Sequence, residues 1–162
     1  MNCVGIDVSK GKSMIAVMRP LGEMVIPPFE VGHTDAELCE LSRRLGGLEG
    51  ETRVVTEATG NYHLPVASFL YDSGFYVSVV NAMLVHGYGN NSLRRVKTDK
   101  KDAVKLANYG LDHWLTLPRY VPDEDIVFNT LGLPSSAENH LPAIPVMHQS
   151  TDHAQKQLNL LA

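Results

Sequence analysis

The sequence has few cysteines, no long hydrophobic run and no excess of positive charge. Its 162 residues include only Cys3 and Cys39, too few for the disulfide framework that small secreted domains use. No apolar stretch approaches the roughly 18 residues that cross a bilayer, and the N-terminus enters a strand-like run rather than a signal peptide. We therefore expect a protein of the reducing cytoplasm that has no membrane partner.

The formal net charge of −4 argues against a surface that binds nucleic acid everywhere. One short segment departs from this balance, because six cations crowd it beside only two acids. The six are Arg94, Arg95, Lys97, Lys100, Lys101 and Lys105. Such a segment is usually a solvated face, but a local basic stripe can also hold phosphates while the whole molecule stays acidic. We predict nucleic-acid contacts by these six side chains.

Runs of apolar residues, many of them β-branched, predict five strands. The strands are expected at residues 2–8, 13–18, 23–26 or further, 53–57 and 75–80. The first three follow one another through tight turns, which is the pattern of an antiparallel meander. The last two are separated by helical segments, which is typical of parallel strands in βαβ units.

Cap residues and apolar side chains at helical spacing predict the helices. The expected starts are Thr34 or Asp35, Asn61, Asn81, and Thr98 or Asp99. The expected ends are Gly46-Gly47, Ser73-Gly74, Val85 and Gly110. Together with the strands, these helices predict an α/β fold in which a mixed five-stranded sheet is flanked by helices. The order of elements is that of ribonuclease H-like proteins.

The character of the sequence changes near residue 118. Prolines punctuate the remainder, which shows no sustained helical or strand periodicity, and such composition predicts irregular structure. We therefore predict one domain at residues 1–117 and an irregular tail at 118–162.

Four acidic residues stand at the ends of predicted elements. Asp7 lies in the first strand, Glu57 ends the fourth, and Asp99 and Asp102 share one face at a helix start. Each alone has an ordinary explanation as a turn residue, a cap or an acid favoured by the helix dipole. Paired strands lie about 4.8 Å apart, so the carboxylates can meet. Oxygen ligands of this kind suit Mg²⁺ or Mn²⁺, and a carboxylate-bound metal pair breaks and joins phosphodiester bonds.

Three segments carry a resemblance to a known family. They are Gly-Ile-Asp-Val-Ser-Lys at 5–10, Glu-Ala-Thr-Gly-Asn-Tyr at 57–62 and Lys-Thr-Asp-Lys-Lys-Asp-Ala at 97–103. In this order they resemble the motifs of DEDD-type insertion-sequence transposases, a family that includes the pilin-gene inverting recombinases. The N-terminal domain of that family is similar to the RuvC Holliday-junction resolvase. The resemblance implies a RuvC-like fold and a Mg²⁺-dependent DNA recombinase that cleaves phosphodiester bonds and transfers strands.

The resemblance also implies a site and partners. The metal-binding and catalytic residues would be Asp7, Glu57, Asp99 and Asp102, and the substrate would be DNA. Family members are further thought to engage a structured guide RNA and to act as homo-oligomers in the full-length assembly. They continue past residues 121–126 into an Arg-rich helical region and a second domain, whereas the sequence from Val127 breaks that pattern. We interpret the chain as a family member that is naturally truncated, frameshifted or artificially shortened.

Two other functions fit parts of the sequence. A shortened relic would hold DNA, RNA or a full-length transposase without catalysis and so regulate it. The segment at 5–9 followed by a hairpin also resembles the first phosphate loop of actin-like ATPases and sugar kinases, although those enzymes usually have far longer chains. Divalent-metal binding separates the catalytic function from the regulatory one, and ATP binding would favour the kinase.

Overall fold

A five-stranded mixed sheet forms the centre of the molecule. The computed structural model describes residues 1–89 and 98–123. Its strands are β1 (Asn2–Ser9), β2 (Lys12–Arg19), β3 (Glu23–Gly32), β4 (Thr52–Glu57) and β5 (Tyr76–Val80). They lie in the order β3-β2-β1-β4-β5. The pairs β1–β2 and β2–β3 are antiparallel, and the pairs β1–β4 and β4–β5 are parallel. The predicted ribonuclease H-like arrangement is therefore confirmed.

Within the described residues, four α-helices flank the sheet. They are α1 (Asp35–Gly46), α2 (Leu64–Asp72), α3 (Ala82–Gly87) and α4 (Asp99–Asp112). Three predicted caps are confirmed, because the side chains of Thr34, Asn81 and Thr98 each accept a hydrogen bond from a backbone N–H of the first turn. These bonds satisfy donors that the helix itself leaves without partners. Local sequence thus defines where three of the four helices begin.

Three predicted helix boundaries are wrong, and one of them is the end of α3, which continues past Val85 to Gly87. Asn61 does not cap α2, because its carbonyl accepts from the Leu64 N–H in a turn before the helix, and His63 is the N-cap instead. Gly110 does not end α4, which continues to Asp112. A Cβ at Gly110 would meet Cys3 Sγ and would lie 2.7 Å from Val55 Cγ2. The glycine therefore allows close helix–sheet packing and does not terminate the helix.

The strand β1 separates two hydrophobic clusters by its alternating side chains. Val4, Ile6 and Val8 belong to the cluster that packs under α1 and α2. Cys3, on the opposite face, belongs to the cluster that includes residues of α3 and α4. Because successive side chains of a strand point to opposite faces, Asp7 lies on the same face as Cys3, beneath α4.

Gly5 lets α4 approach β1 unusually closely. A Cβ at this position would meet the carbonyl oxygen of Ala103 and would lie 2.5 Å from the backbone nitrogen of Ala107. Both alanines are fully buried. The helix backbone thus lies directly on the strand, and this contact determines where the first turn of α4 lies relative to Asp7.

The segment after α4 packs back onto the sheet. The guanidinium of Arg53 lies 4.4 Å from the ring centroids of both Tyr76 and Trp114, and the Tyr120 N–H donates to the Val77 carbonyl at 2.8 Å. The predicted domain boundary at residue 117 stays a prediction, since residues 124–162 lie outside the described ranges. Among the helices of the described residues, none is long and apolar enough to cross a membrane.

Candidate metal centre

Asp7 and Glu57 come from neighbouring parallel strands. Ile6 pairs with Thr56 in the register of β1 and β4, so the next residues along, Asp7 and Glu57, lie side by side. Residues paired in this way project to the same face of a sheet. Both side chains are half-buried. The parallel register therefore brings together two acids that are 50 positions apart in the sequence.

Asp99 and Asp102 come from the first turn of α4. The Thr98 carbonyl accepts from the N–H groups of Lys101 and Asp102, at 2.9 and 3.1 Å, and the Thr98 hydroxyl accepts from Lys101 at 3.4 Å. These bonds hold the turn in helical geometry from its first residue. Residues three apart share one side of a helix, so both carboxylates face the sheet edge together.

The three aspartates form one compact group. Asp7, Asp99 and Asp102 each offer a carboxylate oxygen, and these oxygens all lie within 4.8 Å of one another. Ligands on opposite sides of an ion with metal–oxygen distances of about 2.0–2.6 Å are themselves about 4–5 Å apart. The three oxygens therefore fit a single divalent cation with little adjustment. Asp7 and Asp102 are half-buried, whereas Asp99 is exposed.

Glu57 lines the same cavity but lies outside this compact group. The cavity has a volume of about 230 Å³, and all four predicted acids contribute to its wall. Glu57 Oε1 accepts a weak hydrogen bond from the Thr59 hydroxyl at 3.5 Å. The structure thus brings all four acids to one cavity and three of them within reach of one ion.

Comparison with known proteins identifies the family. The family whose sequence model matches residues 4–131 is the DEDD transposase family, described as a transposase. The chain belongs to this transposase family. The pilin gene-inverting proteins of Moraxella bovis and Moraxella lacunata are each 33% identical to it over 87 residues. Those residues are 54% of this chain and 26% of each relative, so the chain spans about a quarter of the length of the curated relatives it matches.

The structural comparison agrees with the predicted fold. A structure of T. thermophilus RuvC in complex with a Holliday junction substrate matches the transposase chain with a TM-score of 0.51. The match covers 74% of this chain and 99% of RuvC, at 14% sequence identity. At such low identity the likeness concerns the fold alone. The transposase chain therefore has the RuvC-like fold that its motifs predicted.

The structure shows where three of the six cations predicted to contact phosphates lie. Lys105 lines the cavity, and its Nζ donates to the His86 carbonyl at 3.3 Å. Lys100 and Lys101 are exposed on the first turn of α4, beside Asp99. The other three predicted cations, Arg94, Arg95 and Lys97, lie outside the described residues.

Three further polar residues line the cavity, namely Ser9 at the end of β1, Thr59 after β4 and His86 of α3. Ser9 and Thr59 lie in the segments at 5–10 and 57–62 that carry the family resemblance. His86 carries no signal in the sequence, because it has no metal-ligand spacing to another histidine. Only the sheet order, which places α3 beside the carboxyl ends of β1 and β4, reveals its position. The cavity wall therefore includes hydroxyl and imidazole groups as well as acids and Lys105.

Proposed function

We propose that this chain is the nuclease domain of a DNA transposase or site-specific recombinase. The observation that carries the proposal is the convergence of Asp7, Asp99 and Asp102 within 4.8 Å, in a cavity that Glu57 also lines. Membership of the transposase family supports the same function. The proposed reaction is cleavage of a DNA phosphodiester followed by strand transfer.

Mg²⁺ or Mn²⁺ is the proposed cofactor, held by Asp7, Glu57, Asp99 and Asp102. When bound, such an ion polarises the phosphate and activates the attacking oxygen. The chain itself supplies a rigid frame for these ligands, because Asp7 stands on the central strand of the sheet and two of the others stand on a capped helical turn. Preorganised ligands of this kind need little rearrangement on binding.

DNA is the proposed partner. The RuvC structure that matches this chain contains a Holliday junction substrate, and branched DNA is therefore a sensible first probe. Lys105 would bind a backbone phosphate from the cavity wall, and Lys100 and Lys101 would extend that contact along α4, as cations do at phosphate backbones. The same role is proposed for Arg94, Arg95 and Lys97. A structured guide RNA and a homo-oligomeric full-length assembly remain predictions drawn from the family resemblance.

Metal binding tests the site directly. We expect the chain to bind Mn²⁺, measured as loss of the free-ion signal in electron paramagnetic resonance. Asp7→Asn or Asp102→Asn should weaken that binding at least tenfold, since loss of a group that only supports a metal ligand already costs about 10–100-fold in affinity. The matched control is Asp72→Asn, which removes an exposed acid at the end of α2. Equal Mn²⁺ affinity in all four proteins would refute the assignment of the metal ligands.

A regulatory function without catalysis is the second candidate, which the sequence leaves open. Incubation of a four-way DNA junction with the chain and Mg²⁺ separates the two. Cleavage that Asp102→Asn abolishes supports the nuclease. Tight junction binding with no cleavage, together with inhibition of a full-length family transposase, supports the regulator.

A further inference from the structure

Lys12 is a cation near the acidic cavity that lies outside the basic segment at residues 94–105. Lys12 begins β2, where it pairs with Ser9 of β1, while Asp7 pairs with Met14 two residues further along. Directly paired residues of antiparallel strands project to the same face. Lys12 therefore shares the face of Asp7, and such diagonal neighbours lie about 7–8 Å apart. Ser9, its partner across the hairpin, lines the cavity.

The Lys12 side chain is held by an acid from the edge strand β3. Its Nζ donates to Glu30 Oε2 at 2.8 Å, and 53% of each side chain is exposed. Glu30 pairs with Met14 in the register of β2 and β3, so Asp7, Met14 and Glu30 form one row across the sheet. Exposed ion pairs are weak and exchange readily with other partners. This one is half-exposed and lies on the sheet face that carries Asp7.

Backbone contacts fix the base of Lys12 while its end stays accessible. The Ser9 hydroxyl donates to the Lys12 carbonyl at 3.2 Å, and the His33 N–H donates to the Gly11 carbonyl at 3.0 Å. Glu30, mainly through the hydrogen bond, raises the pKa of Lys12, and Asp99 raises it further by its charge. The ammonium group is therefore charged at neutral pH and lies within the electrostatic reach of the acidic group.

We propose that Lys12 binds a backbone phosphate of DNA at the acidic cavity, and that it leaves Glu30 to do so. The inference rests on the proposed function. Lys105 lines the cavity from α4, whereas Lys12 stands on the β1–β2 hairpin, so the two lysines contact the DNA from different sides. Glu30 competes with the phosphate for the same ammonium group. Its removal should therefore strengthen DNA binding through Lys12.

A double-mutant cycle tests this competition. The probe is a labelled four-way DNA junction, titrated with the full chain in EDTA at several salt concentrations. We expect Lys12→Met to weaken binding about fivefold and to reduce the slope of log affinity against log salt by about one. We expect Glu30→Gln to strengthen binding about threefold in the wild-type chain and to have no effect in the Lys12→Met chain.

The control is Glu40→Gln, which neutralises the acid of another exposed ion pair, with Arg43 at 2.6 Å on α1. It should leave junction affinity unchanged. An equal gain from Glu30→Gln with and without Lys12 would show a general charge effect and overturn the inference, as would unchanged affinity and salt slope in Lys12→Met.

The proposed function fails separately from this inference. If Lys105→Met weakens junction binding and Lys12→Met does not, the DNA-binding function stands and the role of Lys12 is refuted. If the wild-type chain binds no junction at any salt concentration, both are refuted. Circular dichroism of each variant checks that the fold is retained.

Discussion

Replacement of Gly5 by alanine should damage both the stability of the fold and the metal site. The added Cβ would lie 2.5 Å from the Ala107 nitrogen and would meet the Ala103 carbonyl oxygen. Ordinary contacts of this kind begin at 3.4 Å. Because protein interiors are closely packed, α4 must move away from β1 by about 1 Å to make room. Helix backbone cannot rotate aside as a side chain can. The strain therefore falls on the whole helix.

The magnitude follows from the same geometry. Overpacking of a core costs about 1–3 kcal/mol when side chains can yield, and here they cannot, so we expect a loss of about 3 kcal/mol in the free energy of unfolding. For a chain of this length each kcal/mol lowers the melting temperature by about 2–4 °C. Gly5→Ala should therefore melt about 6–12 °C below the wild type.

The metal site supplies a second measurement. Asp99 and Asp102 move with α4, while Asp7 stays on β1, and sites tolerate only about 0.5 Å of misplacement. We expect Mn²⁺ affinity to fall about tenfold in Gly5→Ala. The control is Gly46→Ala at the end of α1, where an added Cβ meets nothing within 4 Å and should stabilise by about 0.5–1 kcal/mol. Unchanged melting and unchanged Mn²⁺ affinity in Gly5→Ala would refute the packing of α4 on β1.

Two further predictions concern the cap of α4 and a half-buried histidine. Thr98→Ala should lower the free energy of unfolding by about 0.5–1 kcal/mol, the lower range for a cap because its hydrogen bond is 3.4 Å long. It should also lower Mn²⁺ affinity, whereas the control Thr34→Ala should lower stability alone. Equal Mn²⁺ affinity in the two variants would contradict this. Burial lowers the pKa of His33 below its ordinary 6.5, so the unfolded chain takes up a proton first as pH falls. The free energy of unfolding should therefore decline as the pH falls below 6.5. Urea unfolding of His33→Gln should show a smaller decline than urea unfolding of the wild type.

Much of this architecture is predictable because it depends on short-range signals. The side chains of Thr34, Asn81 and Thr98 satisfy the first N–H groups of their own helices, so the sequence alone locates those starts. Alternation within β1 places Asp7 opposite Ile6, and the order of the elements places Glu57 at the end of the fourth strand. The pairing of β1 with β4 that brings the two acids together joins residues 50 positions apart, so the convergence itself does not follow from short-range signals.

Features that depend on distant contacts are less predictable. Gly110 has the sequence signature of a helix end, yet its role is to admit Cys3 and Val55 from the sheet. The pairing of Lys12 with Glu30 depends on the register of β2 and β3, which is irregular further along at Ile15 and Val17. No local pattern encodes either contact, because each partner belongs to a different element.

The carboxylates of the acidic cavity repel one another, so the structure around them must be rigid to hold them together. Like charges about 4 Å apart repel by about 1 kcal/mol in water and by about 4 kcal/mol near a protein surface. Three carboxylates within 4.8 Å would separate if their supports were loose. The buried side chains of Ala103, Leu106 and Ala107, which belong to α4, hold the helix on the sheet against that force. The fold thus keeps the three carboxylates together in advance, so that a cation bound there would gain their full attraction without having to assemble them.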